Sequence, residues 1–81
     1  MAGPKADGRR MMDDLEAQLT KRERKLRAEP LADARRWMVA AGEVGGVGPI
    51  SKSFYATGSR DIRVDIEVRR GKAFIPDEKR D

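Results

Sequence analysis

The chain has 81 residues, with 18 Lys and Arg, 14 Asp and Glu, and neither Cys nor His. This length fits one small domain. The missing residue types exclude disulfide bonds, thiolate or imidazole catalysis and Cys/His metal sites. Charged residues make up 40% of the chain, and no apolar run approaches the roughly 18 residues of a membrane span. We therefore expect a cytoplasmic protein that uses no metal ion or other cofactor.

Two helices are expected in the first half of the chain. The first extends over about 9–28, where apolar residues recur at helical spacing on one narrow face. These residues are Met12, Leu15, Leu19 and Leu26. Pro30 ends this helix and begins the second, which is predicted over about 30–41, before Gly42.

The second half of the chain is predicted to be a β-meander. Over about 61–70, four β-branched residues alternate strictly with charged ones, which is typical of a half-buried antiparallel strand. Flanking strands are expected at about 50–57 and 73–76, with turns at Gly58-Ser59 and Gly71-Lys72. The fold class is therefore α+β, with two N-terminal helices packed on one face of a three-stranded antiparallel sheet.

Two registers compete in the first hairpin. A two-residue turn at Gly58-Ser59 would place Tyr55 on the face of Val64 and direct Phe54 towards the charged residues. A three-residue turn gathers the apolar residues on one face, and a slip of one residue inverts that face. Because burial of a Phe side chain contributes up to about 3 kcal/mol, we expect the second register. Its pairs are Phe54 with Val64, Ala56 with Ile62, and Ile50 with Val68.

The predicted domain covers 9–76, between a flexible arm at 1–8 and a polar tail at 77–81. Within it, the Gly-rich segment 42–49 is interpreted as a linker between the helical and β halves. The expected core consists of Leu15, Leu19, Leu26, Leu31, Trp37, Met38, Phe54, Ile62, Val64, Ile66 and Val68.

No catalytic motif emerges from the sequence. Residues 46–53 approximate a phosphate-binding loop, but Ser51 stands where that loop requires Gly, and a strand follows instead of a helix. Asp65 and Glu67 lie between arginines, which lower a carboxylate pKa and suit counter-ions better than general acids. The serines have no His partner. We therefore predict no catalytic residue and no enzymatic activity.

Positive charge is concentrated in the middle of the chain. Residues 21–36 contain seven cationic and three acidic side chains. Such a concentration favours phosphate or an acidic protein surface as partner, although a solvated helix face would need no function. The candidate binding residues are Lys21, Arg22, Arg24, Lys25, Arg35, Arg36, Arg69 and Arg70.

The leading hypothesis is a small non-catalytic regulatory protein that contacts nucleic acid or a nucleoprotein. Trp37, Phe54 and Phe74 are expected to be buried, which leaves Tyr55 to stack on a base, so contact with the phosphate backbone is expected to dominate. The alternative is a protein-binding inhibitor or adaptor that meets an acidic protein surface. A phage- or plasmid-encoded inhibitor of a host machine would be an example.

The apolar face formed by Met12, Leu15, Leu19 and Leu26 has two interpretations. Ordinary packing onto the sheet is one. The other is a short two-helix contact in a homodimer, since a small chain without disulfides gains stability from a partner.

Overall fold

Helices precede a three-stranded antiparallel sheet in this computed structural model, which describes residues 7–76. The elements are α1 (Gly8–Ala17), α2 (Lys21–Leu26), α3 (Ala28–Val44), β1 (Ile50–Ala56), β2 (Ser59–Arg69) and β3 (Lys72–Phe74). The strand order is β1-β2-β3. The predicted α+β class is confirmed. The predicted tail at 77–81 and residues 1–6 of the predicted arm lie outside the described residues, and no helix within 7–76 is long and apolar enough to cross a bilayer.

The first predicted helix is divided into α1 and α2 by a cap at Thr20. The Thr20 hydroxyl accepts a hydrogen bond from the Glu23 N–H at 3.1 Å, and the Glu23 carboxylate accepts one from the Thr20 N–H at 2.7 Å. This reciprocal capping box starts a new helix with its own direction. As a result Leu26, which was expected in the core, is 57% exposed.

The start of α1 packs directly against the backbone of α3. Asp7 caps α1 by accepting a hydrogen bond from the Arg9 N–H. Gly8 is buried, and a Cβ added to it would lie 2.0 Å from the carbonyl oxygen of Met38. The prediction of a flexible arm that includes Gly8 is therefore wrong at this residue, because the absence of a side chain lets the two helices meet.

The register of the first hairpin follows the apolar alternation. Phe54 lies opposite Val64, and Ile50 lies opposite Val68, as predicted. Paired residues of an antiparallel ladder share a face, so these four side chains lie on the side that the helices cover.

The end of this hairpin differs from the prediction. Ala56 pairs with Ser59, not with Ile62, because the register shifts just before Ala56. The connection is a two-residue turn at Thr57-Gly58, where Gly58 takes a φ of 77°. The shift leaves Ile62 only partly buried.

The second hairpin turns one residue earlier than predicted. Arg69 pairs with Lys72, so the turn consists of Arg70 and Gly71. Both turn residues have positive φ, 55° and 75° respectively. Two consecutive positive values define the type I′ turn, whose twist matches that of the flanking strands.

Eight of the eleven expected core residues are buried between the helices and the sheet. These are Leu15, Leu19, Leu31, Met38, Phe54, Val64, Ile66 and Val68. The core also includes Met11, Met12, Ala34, Val47 and Ala73, which the prediction omitted. Leu26 and Ile62 do not belong to it. Trp37 is also outside, 36% exposed at the rim, with its ring edge-on to Phe54 at 6.4 Å between centroids.

This packing accounts for the apolar face of the first predicted helix. Met12, Leu15 and Leu19 are buried within their own chain. Only Leu26, now on α2, remains exposed. A homodimer through these four residues would require three of them to leave the core, so the packing supports the interpretation of an intramolecular contact.

Candidate functional site

Arg24, one of the eight candidate binding residues, joins α1 to α2. Its Nη1 donates hydrogen bonds to the carbonyl oxygens of Glu16 at 3.0 Å and Leu19 at 2.8 Å. Carbonyl groups at the end of a helix have no partner within that helix. Arg24 therefore supplies hydrogen bonds to carbonyl groups at the C-terminal end of α1, and its guanidinium group is already bound within the protein.

The two candidate arginines of α3 are paired with acidic side chains. Nη2 of Arg35 lies 2.9 Å from a carboxylate oxygen of Asp13 and 2.9 Å from one of Glu16, so it bridges α3 to α1. The hydrogen bond to Asp13, followed by the one to Glu16, raises the pKa of Arg35. Arg36 forms an ion pair with Asp33 on its own helix. Both charges are thus balanced locally.

Three cationic side chains of α2 remain exposed. Lys21, Arg22 and Lys25 form what we term the α2 basic face. Within residues 7–76 none of the three forms an ion pair with a carboxylate. No described carboxylate therefore neutralises these three charges.

A second group of cations surrounds an open cleft at the β2–β3 hairpin. This hairpin cleft has a volume of about 460 Å³ and is lined by Arg69, Arg70, Lys72 and Phe74. The guanidinium carbon of Arg69 lies 5.1 Å from the centroid of the Phe74 ring. A carboxylate oxygen of Glu67 lies 3.4 Å from Arg69 Nε. The cleft combines three cations, one of them ion-paired, with one aromatic ring.

Phe74 and Lys72 are the parts of the cleft that the candidate set did not contain. Phe74 was expected to be buried, but it lies on the outer face of the sheet opposite Glu67 and is half-buried. Lys72 shares that face because it pairs with Arg69. A turn assigned to Arg70-Gly71 would have placed Lys72 in β3 opposite Arg69. Phe74 shares the outer face with Arg69 and Glu67 under either turn, since the side chains of a strand alternate between faces.

A hydrogen bond joins the end of α1 to β3. Gln18 Nε2 donates to the carbonyl oxygen of Ala73 at 3.1 Å. Ala73 lies between Lys72 and Phe74 of the cleft, and α2 begins three residues after Gln18. The chain therefore enters α2 from a point that contacts β3.

The rest of the outer sheet face is not strongly cationic. Arg63 Nε lies 3.3 Å from a carboxylate oxygen of Asp65, which also accepts a hydrogen bond from the Ser53 hydroxyl. Tyr55 is exposed on this face, as expected, beside Arg63. Because positive and negative charges are balanced on this part of the sheet, it is poorly suited to bind a polyanion. The α2 basic face and the hairpin cleft are the better candidates for such a binding surface.

The described residues give no support for catalysis. Within 7–76 no three His, Cys, Asp or Glu residues form a metal-binding group, and no charged or polar residue is buried. Glu29 on α3 has its pKa lowered by hydrogen bonds from the Thr57 hydroxyl and N–H, which favour the charged carboxylate. A carboxylate held ionised in this way serves as an acceptor. The absence of enzymatic activity stays a prediction.

Fold and site together define a small α+β domain with a basic, aromatic-containing hairpin cleft. Comparison of the chain with protein-family models, curated proteins and solved structures finds no match. Its function is therefore inferred from the chemistry of the site.

Proposed function

We propose that the protein is a small, non-catalytic nucleic-acid-binding protein that contacts nucleic acid, alone or in a nucleoprotein, through the surface beside β3. The observation that carries this proposal is the hairpin cleft, where three cations surround one aromatic ring. Phosphate groups bind to such cations with release of counter-ions, largely independently of base sequence.

The proposed contact residues come from α2 and from the β2–β3 hairpin. The α2 basic face and the three cations of the hairpin cleft supply Lys21, Arg22, Lys25, Arg69, Arg70 and Lys72. Arg24, Arg35 and Arg36 are assigned to the fold, because each donates a hydrogen bond to a carbonyl or carboxylate group, whereas Arg69 lies 3.4 Å from the Glu67 carboxylate. The proposed interface is therefore smaller than the set expected from the sequence.

Binding of labelled DNA to the protein tests this proposal. We expect the association constant to fall steeply between about 50 and about 200 mM salt, since each phosphate contact contributes about 0.7 to 0.9 to the log–log slope. Replacing Lys21, Arg22 and Lys25 together by alanine is expected to reduce that slope by about 2 to 3. Fluorescence anisotropy measures both quantities.

The matched control for this experiment is R36A. It also removes a positive charge from a helix, but Arg36 is paired with Asp33. We expect it to leave the slope nearly unchanged. Affinity that does not vary with salt in the wild-type protein would contradict the proposal.

Arg70 allows binding to be separated from stability. Its φ of 55° is unfavourable for Arg but suits Asn, and Asn-Gly is the preferred type I′ pair. R70N is therefore expected to raise the free energy of unfolding by about 0.5 to 1 kcal/mol while weakening DNA binding several-fold. Urea denaturation and anisotropy on the same sample give the two values.

Arg60 provides the control for R70N. It is an exposed cation at the start of the same strand, far from the cleft along β2. R60N removes the same charge, and we expect it to change affinity less than R70N does. Equal losses would show that only the net charge of the protein matters, which would remove the hairpin cleft from the proposed interface.

A second candidate function is protein binding by strand addition. Within residues 7–76, β1 pairs only with β2, so its other edge is unpaired. Trp37 is partly exposed, and Lys52 Nζ lies 5.6 Å from its ring centroid. An extended segment of another protein could add to this edge. A defined partner retained after nuclease treatment, and lost when β1 carries S53P, would favour this function over nucleic-acid binding.

A further inference from the structure

The guanidinium group of Arg69 lies over an aromatic ring at the protein surface. Its carbon is 5.1 Å from the centroid of the Phe74 ring. Its Nε lies 3.4 Å from a carboxylate oxygen of Glu67. The Arg69 side chain is nevertheless 64% exposed. A planar cation that contacts a ring and still exposes most of its side chain is suited to stack on a further planar group.

The neighbouring side chains of the cleft are suited to phosphate. Arg70 projects from the tip of the turn, and Lys72 lies opposite Arg69 on the same face of the sheet. Neither contacts a carboxylate within residues 7–76. These two charges line the same cleft as Arg69 and Phe74.

We infer that the hairpin cleft binds an unpaired nucleotide of a single strand, with its base stacked on Arg69 and its phosphates on Arg70 and Lys72. This inference rests on the proposed function and specifies its substrate. Bases that are splayed out of a helix commonly stack on Arg planes or aromatic rings, whereas bases in a duplex present only their edges. The cleft should therefore favour single strands over duplexes.

Three DNA probes of about 12 nucleotides separate stacking from phosphate contact. They are an oligothymidylate, the same backbone without bases, and a duplex. We expect the oligothymidylate to bind at least about fivefold more tightly than the other two at equal salt. The preference over the abasic probe measures the contribution of the base, because both strands carry the same phosphates.

The variant R69K isolates the role of the Arg69 plane. It keeps the charge but removes the planar group, so we expect a five- to tenfold loss for the oligothymidylate and less than a twofold change for the abasic probe. F74L removes the ring that Arg69 contacts, and we expect it also to lower the affinity for the oligothymidylate more than the affinity for the abasic probe. R36K, on α3, is the charge-conserving control and is expected to change neither affinity.

The outcomes distinguish the inference from the function on which it rests. Equal, salt-dependent binding of the oligothymidylate and the abasic probe would overturn the stacked base but leave nucleic-acid binding in place. An R69K variant that still prefers the oligothymidylate to the abasic probe as strongly as the wild-type protein would lead to the same conclusion. If none of the three probes binds, the proposed function itself is overturned. Circular dichroism of each variant verifies that the fold is intact.

Discussion

Replacing Gly8 by alanine is expected to reduce the free energy of unfolding by about 3 kcal/mol. The added Cβ would lie 2.0 Å from the carbonyl oxygen of Met38 and 2.8 Å from the backbone nitrogen of Val39. Both atoms belong to the backbone of α3, so no side chain can rotate away to make room. The clash is relieved only if α1 shifts away from α3, which opens the core around Met12 and Leu15.

The intrinsic preferences of the two residue types oppose this effect. Alanine is favoured over glycine in a helix by about 1 kcal/mol, so a first-turn G8A substitution on an isolated helix would be neutral or stabilising. A net loss therefore measures the close approach of α1 and α3 directly. Urea denaturation followed by circular dichroism provides the free energies.

Gly48 offers a matched control in the same chain. An added Cβ at Gly48 meets nothing within 4 Å, and its backbone is not in the left-handed region. G48A is expected to change stability by less than about 0.5 kcal/mol. If G8A and G48A have the same effect, α1 does not meet α3 at Gly8.

The sheet was predictable because its signal is local. Strict alternation in 61–70 and the burial of Phe54 were sufficient to establish the strand, its inner face and most of its register. The two turns were less predictable. In the first hairpin a two-residue turn replaces the three-residue turn that was expected, and in the second hairpin the turn comes one residue early. Gly occupies the second turn position in both hairpins, where the prediction placed it first.

The helices show where the sequence pattern misleads. The interval of seven residues from Leu19 to Leu26 fits one continuous helix face, but Thr20 and Glu23 form a capping box within the same interval. A local hydrogen-bonding signal should take priority there, because it ends one helix and starts another. Leu26 is exposed as a consequence.

The candidate site depended on contacts between distant parts of the chain. Arg35 pairs with carboxylates 19 and 22 residues away, which no local pattern indicates. Composition locates the cationic segments. The packing of α1 against α3 reveals that Arg35 is ion-paired, and the β2–β3 hairpin brings Arg69, Arg70 and Lys72 together beside Phe74.

Truncation of a buried isoleucine on β2 is expected to cause a second large loss of stability. I66A is expected to reduce the free energy of unfolding by about 3 to 4 kcal/mol, since Ile66 is 1% exposed and its removal leaves a cavity between helices and sheet. A domain of this size has a total stability of roughly 4 to 12 kcal/mol. The variant is therefore expected to be partly unfolded at physiological temperature.

Ile62 on the same strand is the matched comparison. Both residues were expected in the core, but the register shift before Ala56 leaves Ile62 only partly buried. I62A makes the same chemical change but removes less buried contact area. We therefore expect it to reduce the free energy of unfolding by about 1 kcal/mol. Denaturation midpoints and slopes for both variants test the difference. Equal costs would mean that Ala56 faces Ile62 across a regular hairpin, and the observed bulge would then be incorrect.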